Sequence, residues 1–189
     1  MSHAHLDQPS PWVARFLPPD PAGGRVLDLA AGGGRHTRLA RARGWAVTAV
    51  DIEVAGLAAF ANDAAVEILA ADLENAPWPL GGRRFGARGF GAVIVTNYLH
   101  RPLLPLLVAA VAAGGTLIYE TFARGNEAFG KPSNPNFLLA PGELLETVRG
   151  QLTVVAYEHG KVEAPRAAVI QRIAAVRAMP GAAPPALPV

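Results

Sequence analysis

The stretch VLDLAAGGGRHT, Val26 to Thr37, decides how the chain is read. A short apolar run ends in three consecutive glycines, Gly32 to Gly34, and a helix-forming segment follows at once. Glycine accepts the positive φ and the close backbone approach that a strand-to-helix turn over a ligand requires. Asp28 stands immediately before that turn. A carboxylate there repels a pyrophosphate and favours an ammonium or sulfonium group, so its charge points away from a phosphate-bearing ligand. Gly32, Gly34 and Asp51 fit the first half of a dinucleotide fingerprint, but Thr37 occupies the third glycine position.

Working outward, near-continuous apolar runs recur at roughly two-dozen-residue intervals: RVLDLA, AVTAVD, VEILAAD, GAVIVTN and GTLIYET. Runs without polar alternation describe strands covered on both faces, as in a parallel sheet flanked by helices. The segments between them support this, since RHTRLARARG, EVAGLAAFAND and PLLPLLVAAVAAGG all have helical character. The last of these is expected to carry Pro105 in its first turns and to close on Gly114 and Gly115. Upstream, SPWVARFL reads as a short helix with Ser10 as N-cap, Pro11 at its first position and Trp12 and Phe16 on one face. PPDPAGG then forms a linker. Downstream, PGELLETVRG restores a helix, and QLTVVAYEHG and RAAVIQRIAAVR are expected to pair as antiparallel strands.

At 189 residues with 51% hydrophobic content, the chain suits a single domain, 1–189, with a helix and linker over 1–24 and a flexible tail over 178–189. No apolar run is long enough to cross a bilayer and the start lacks signal-peptide character, so a cytoplasmic protein with no membrane partner is expected. Absence of cysteine excludes disulfides and thiolate metal sites, and His3, His5, His36, His100 and His159 show no ligand spacing, so no metal is expected. The net charge is only +2. Arg83, Arg84 and Arg88 form the densest basic group, in a glycine-rich loop, which is a solvated surface rather than a nucleic-acid footprint.

In an open parallel sheet, ligands bind beyond the carboxyl ends of the strands, and those ends here carry Asp51, Asp72, Asn97 and Glu120. With these residues in view, VLDLAAGGGRHT resembles the first motif of class I S-adenosylmethionine-dependent methyltransferases, with Ala30 and Ala31 where Gly and Cys are common. Asp51, closing AVTAVD, is similar to the ribose-binding acid of that family, and AADLENAPWPL resembles its third-strand segment, whose acid, here Asp72, faces the adenine. The resemblance implies a three-layer α/β/α Rossmann-like fold, with a mostly parallel seven-stranded sheet whose last strand is antiparallel. It also implies S-adenosyl-L-methionine as cofactor, held by Asp28, Ala30, Gly32, Gly34, Asp51, Ile52, Asp72, Leu73 and Asn97. The chemistry agrees: Asp51 can accept two vicinal hydroxyls, Ile52 can offer an apolar face, and Asp72 can meet an exocyclic amine.

For the acceptor side, the resemblance implies methyl transfer by in-line displacement to a small molecule or metalloid, with Tyr98, His100 and Glu120 as candidate catalytic residues. YETFARGNEAFGKPSNPNFLLAPGELL further resembles a segment of bacterial tellurite-resistance and thiopurine-type methyltransferases. Gly125, Gly130, Pro132 and Pro135 could there shape a lid, with Phe129 and Phe137 covering the substrate or anchoring the loop to the core. Two other readings stand beside this one: an NAD-dependent oxidoreductase, and a silent cofactor-binding module that contacts a partner protein through the 123–140 loop.

Overall fold

The computed structural model describes residues 8–20, 23–81, 89–179 and 181. Arg83, Arg84 and Arg88, His3 and His5, part of the linker and most of the tail lie outside these residues. Seven strands run in chain order: β1 (Arg25–Leu29), β2 (Ala46–Asp51), β3 (Val66–Ala70), β4 (Phe90–Thr96), β5 (Val111–Phe122), β6 (Thr153–Val162) and β7 (Ala168–Val176). They form one sheet of order β3-β2-β1-β4-β5-β7-β6. The first five strands pair in parallel, and β7 is antiparallel to both β5 and β6, as the resemblance implied.

Both sheet faces are buried, which is why the strand sequences do not alternate with polar residues. On one face Leu27, Leu29, Val93, Val95, Leu117 and Tyr119 join a core completed by α3 (Leu104–Ala110) and α4 (Glu143–Val148). On the other, Val26, Ala92, Ile94 and Ile118 pack with α1 (Pro11–Phe16), α2 (Arg35–Ala42) and the 3-10 segment Val54–Phe60. Each fully buried aliphatic side chain contributes about 1.5–3 kcal/mol. The Ser10 hydroxyl caps α1 by accepting from the Trp12 N–H at 3.1 Å, and Trp12 and Phe16 are both buried.

Two helix expectations need correction. EVAGLAAFAND forms a 3-10 segment, Val54–Phe60, and not an α-helix. A Cβ on Gly56 would come 2.9 Å from the Gly32 carbonyl oxygen, so this segment lies directly on the glycine loop, where the tighter winding brings it. The helix over PLLPLLVAAVAAGG ends at Ala110, and Val111 to Gly115 begin β5 instead. Val111 pairs with Phe90, the register shifts before Ala92 meets Thr116, and the glycine pair occupies that irregularity. Gly115 has no room for a side chain, because a Cβ there would lie 2.7 Å from the Phe90 carbonyl oxygen.

Candidate functional site

Parallel strands β1 to β5 end on one rim, and the strand order reverses between β1 and β4. The loop leaving β1 crosses that switch point with three residues in the left-handed region: Ala30 (φ 53°), Gly32 (φ 54°) and Gly34 (φ 73°). For Ala30 this conformation costs about 1–2 kcal/mol. The loop amides turn inward. Ala31 N–H donates to the Val50 carbonyl at 3.1 Å and Gly34 N–H to the Ala31 carbonyl at 2.9 Å. Gly32 N–H donates to Asp51 Oδ2 at 2.8 Å. A Cβ on Gly34 would lie 2.7 Å from Phe60 and 2.8 Å from Leu57, so packing requires this glycine. Gly32 and Gly33 face open space, where a Cβ would meet nothing within 4 Å.

Asp51 closes β2, and its Oδ1 accepts from Glu53 N–H at 2.9 Å. A carboxylate offers about four lone-pair sites, so two remain after these bonds to Gly32 and Glu53. Beside it Ile52 is 68% exposed, an unusual position for a large aliphatic residue at a strand end. Asp72, just past β3, accepts Glu74 N–H and Asn75 N–H on Oδ1 and the Asn75 side-chain amide on Oδ2. Those bonds, the Asn75 side chain first, hold its carboxyl below the usual range. One lone-pair site of Oδ2 remains. Leu73 differs from its neighbours, since its side chain is buried in the core.

Asp28 reaches the loop from beneath. It is 1% exposed, and its Oδ2 accepts from Thr37 Oγ1 at 2.7 Å. Burial pushes its carboxyl up to about 7, against the opposing Thr37 bonds and the Arg35 charge. On the same face, Ser10 fastens the N-terminal segment over the rim. Its N–H donates to His36 Nε2 at 3.1 Å and its hydroxyl to Glu120 Oε1 at 2.8 Å. The His36 ring therefore accepts through Nε2, and burial, reinforced by Arg35, lowers its pKa to about 3. Arg172 completes the group: Nη1 donates to Glu120 Oε2 at 3.3 Å while the guanidinium lies 4.7 Å from the Trp12 ring centroid.

Asn97, Tyr98 and His100 follow β4. Asn97 adopts φ 56° and its N–H donates to the Glu120 carbonyl at 2.9 Å. Burial raises the Tyr98 hydroxyl to about 12, and the charges of Glu74, Asp72 and Asp51 add to the rise. That hydroxyl is buried without a hydrogen-bond partner, while the Tyr98 carbonyl accepts from Tyr119 Oη at 2.8 Å. His100 lies close enough for its charge to act on Asp72. Tyr98 and His100 thus belong with the acidic rim, whereas Glu120 lies with Ser10 and Arg172, so the three candidate catalytic residues do not form one cluster.

Within the 123–140 loop, Phe129 and Phe137 are 42% and 45% exposed, so neither anchors the segment in the core. Leu138 and Leu139 do, both fully buried. Arg101 bolts that end down, donating to Glu143 through Nε and Nη2 at 2.7 and 3.0 Å and to the Asn136 and Leu138 carbonyls. The roles of Arg35, His36, Arg101 and Arg172 were missed from the sequence. Only Arg35 carried a signal there, as the first residue after the glycines.

The family model described as a methyltransferase domain matches residues 2–127. Among curated proteins, none matches the sequence. TehB from Haemophilus influenzae is similar in structure, with a TM-score of 0.63 and 18% identity over 84% of this chain. The chain spans 59% of the length of that protein. The 1,6-didemethyltoxoflavin-N1-methyltransferase of Burkholderia thailandensis, solved with its substrate and S-adenosylhomocysteine, gives a TM-score of 0.59 and 20% identity, covering 94% of this chain and 75% of its own. The glycopeptide N-methyltransferase MtfA, solved with S-adenosylmethionine, gives 0.52 and 21%, covering 84% and 89%.

Proposed function

This chain belongs to the methyltransferase-domain family, and on that premise we propose that it moves a methyl group from S-adenosylmethionine to a small-molecule or metalloid acceptor by in-line displacement. The observation that carries this reading is the inward-turned glycine loop. A phosphate site needs amides aimed at the anion. Here the Gly32 amide donates to the Asp51 carboxylate and is not free for an anion. An NAD-dependent oxidoreductase is disfavoured by the family to which the chain belongs.

The residues present fit the donor. Asp51 keeps two lone-pair sites for the ribose hydroxyls, Ile52 offers an exposed apolar face to the base, and Asp72 keeps one site for an exocyclic amine. Gly32 and Gly33 leave open room over which the chain between adenosine and sulfur can run, and Ala30, Gly34 and Asn97 shape the rim around it. The Leu73 side chain lies in the core, so that position supports the adenine side from behind. Asp28, buried in β1, favours a cation over the glycines in its ionised form, which develops as pH rises through about 7.

The bound donor supplies a sulfonium leaving group, so the protein's task is to align the acceptor and exclude water. Alignment of this kind is worth on the order of 7–11 kcal/mol in the best intramolecular cases. Tyr98, raised to about 12, remains a phenol at neutral pH and serves as a wall or donor, not as a base. His100 takes a proton where the acceptor arrives protonated. Glu120, bound to Ser10 and Arg172, positions the N-terminal segment and faces an acceptor only if those bonds exchange. The small-molecule acceptor class is supported by the likeness to the 1,6-didemethyltoxoflavin-N1-methyltransferase, solved with its small-molecule substrate.

Calorimetric titration tests the donor: S-adenosylmethionine and S-adenosylhomocysteine are expected to bind, with NADH and ATP as controls. NADH binding in preference would overturn the reading. Replacing His100 by Ala tests the base, because unchanged turnover across pH at saturating donor removes it from that role.

A further inference from the structure

The backbone around Phe137 is tied down on every side while its ring stays exposed. Phe137 ends the 3-10 turn Pro135–Phe137, whose cap Asn134 accepts the Asn136 N–H on its side chain at 3.0 Å and the Phe137 N–H on its carbonyl at 2.9 Å. Arg101 grips both flanking carbonyls, Asn136 through Nη1 at 2.7 Å and Leu138 through Nη2 at 2.9 Å. Just beyond, the Leu139 N–H donates to the Phe122 carbonyl at 3.0 Å, which sets the turn against the end of β5. Arg101 directly follows His100 in the segment that leaves β4. Phe137 is therefore fastened to the same rim, and to the same segment, as the proposed base.

The other described phenylalanines already have partners. Phe16 meets the Trp12 ring at 4.4 Å between centroids, Phe60 lies 5.6 Å from the Arg38 guanidinium, and Phe122 and Phe129 each lie 5.1 Å from a cation, Arg166 and Lys161. Phe90 is buried in the core. Among the described residues no ring or cation is paired with Phe137. A mount fixed by its own backbone loses little freedom when a ligand meets it, and a free aromatic face is met best by another π system. An oxyanion gains nothing from that face, and Arg101 is already engaged by Glu143 and the two carbonyls. We propose that Phe137 is the platform on which the methyl acceptor stacks, and that the acceptor is a planar aromatic or heteroaromatic small molecule. The inference rests on the proposed methyl transfer and narrows its acceptor class, setting the metalloid aside.

The test is a ligand-observed NMR titration of the full chain saturated with S-adenosylhomocysteine, using coumarin, quinoline and indole as planar probes and octahydrocoumarin as the saturated counterpart of the first. Wild type is expected to bind at least one planar probe, and to prefer it to octahydrocoumarin by about two- to ten-fold. Phe137→Ala should lose that preference and Phe137→Trp should keep it. Phe129→Ala should keep it too, because Lys161 already covers that ring. Calorimetry with S-adenosylhomocysteine runs alongside, and unchanged affinity in Phe137→Ala shows that the variant is folded and its donor site intact. No binding of any planar probe to wild type, an equal response to octahydrocoumarin, or a preference that survives in Phe137→Ala overturns the inference and leaves the proposed donor standing. Failure of wild type to bind S-adenosylhomocysteine overturns the proposed donor itself, and this inference with it.

Discussion

Replacing Asp28 by Asn should stabilise the protein, increasingly so as pH rises. In the folded chain the Asp28 carboxyl titrates at about 7, against 3.8 when unfolded, because burial penalises its charge. The folded state therefore holds a proton on Asp28 through a window in which the unfolded chain has released it. This contribution to stability is complete below the unfolded value of 3.8 and is lost as pH rises through about 7. Each pKa unit is 1.36 kcal/mol, so the loss reaches about 4 kcal/mol above the window. Asn keeps the shape and an acceptor for the Thr37 hydroxyl but cannot ionise. The stability of Asp28→Asn minus that of wild type should thus grow by about 1.4 kcal/mol per pH unit and then level off. Between about pH 5 and pH 8 that is about 2.5 kcal/mol, or roughly 5–10 °C in the melting temperature of a chain this size. His36, whose pKa is lowered to about 3, loses stability as pH falls, but it does so in both proteins and cancels in the difference. Thermal unfolding at several pH values measures the effect, and a difference that does not change between about pH 5 and pH 8 would refute the argument. The same variant should bind S-adenosylmethionine more weakly. Donor binding to wild type near pH 6 should release a proton, seen as a dependence of the binding heat on the buffer.

Gly34→Ala should cost about 2–4 kcal/mol, from a Cβ pressed against Phe60 and Leu57 at positive φ, and chemical denaturation will show it. Gly33→Ala should leave stability within about 1 kcal/mol but weaken donor binding, because its Cβ enters only open space. Asp51→Ala should reduce donor affinity by about ten- to a hundred-fold, measured by calorimetry, since it removes the acceptor for the ribose and frees the Gly32 amide. Arg101→Met should release the 135–140 segment from Glu143 and the Asn136 and Leu138 carbonyls, and limited proteolysis should then cut faster within residues 124–138. Burial raises the Glu143 carboxyl, but the Arg101 and Ala140 bonds together with the Arg101 and Arg124 charges hold it below its ordinary value. The contribution of this latch is thus present above the ordinary value and lost as pH falls through the lowered one, so wild type should approach the variant's cleavage rate in acid.

The strands were legible because burial on both faces leaves unbroken runs such as AVTAVD and GAVIVTN, and the antiparallel pair after α4 followed from its two strand-like segments. The ends of helices were less so. Val111 to Gly115 carries the same apolar alphabet in a helix as in a strand, and only its pairing with Phe90 decides between them. Among site residues, Asp51 and Asp72 were visible because one closes a strand and the other follows a strand by two residues, and strand ends share one rim. Glu120 stands near the end of β5 as well, yet its role depends on Ser10, 110 residues away, and on Arg172, 52 away. No local pattern encodes a contact at that separation. Tyr98 read as a pocket residue, but the burial that holds it as a phenol is a property of packing alone.

On the proposed donor, the contact between Gly32 and Asp51 lets one carboxylate select a nucleoside and discourage a nucleotide. Its 2.8 Å bond consumes the loop amide that would otherwise help bind an anion, and fixes the acid at the mouth of the loop. A phosphate placed about 4 Å from that acid would meet repulsion of about 4 kcal/mol at the effective dielectric of a protein surface. A neutral sugar meets none, and finds two lone-pair sites still open. On that reading, selection arises from where charge is placed along a single short path, with Asp51 at the ribose and neutral backbone over Gly32 and Gly33. Reversing the sign there by Asp51→Lys should abolish donor binding, whereas a charge-changing substitution at exposed Glu163 should not.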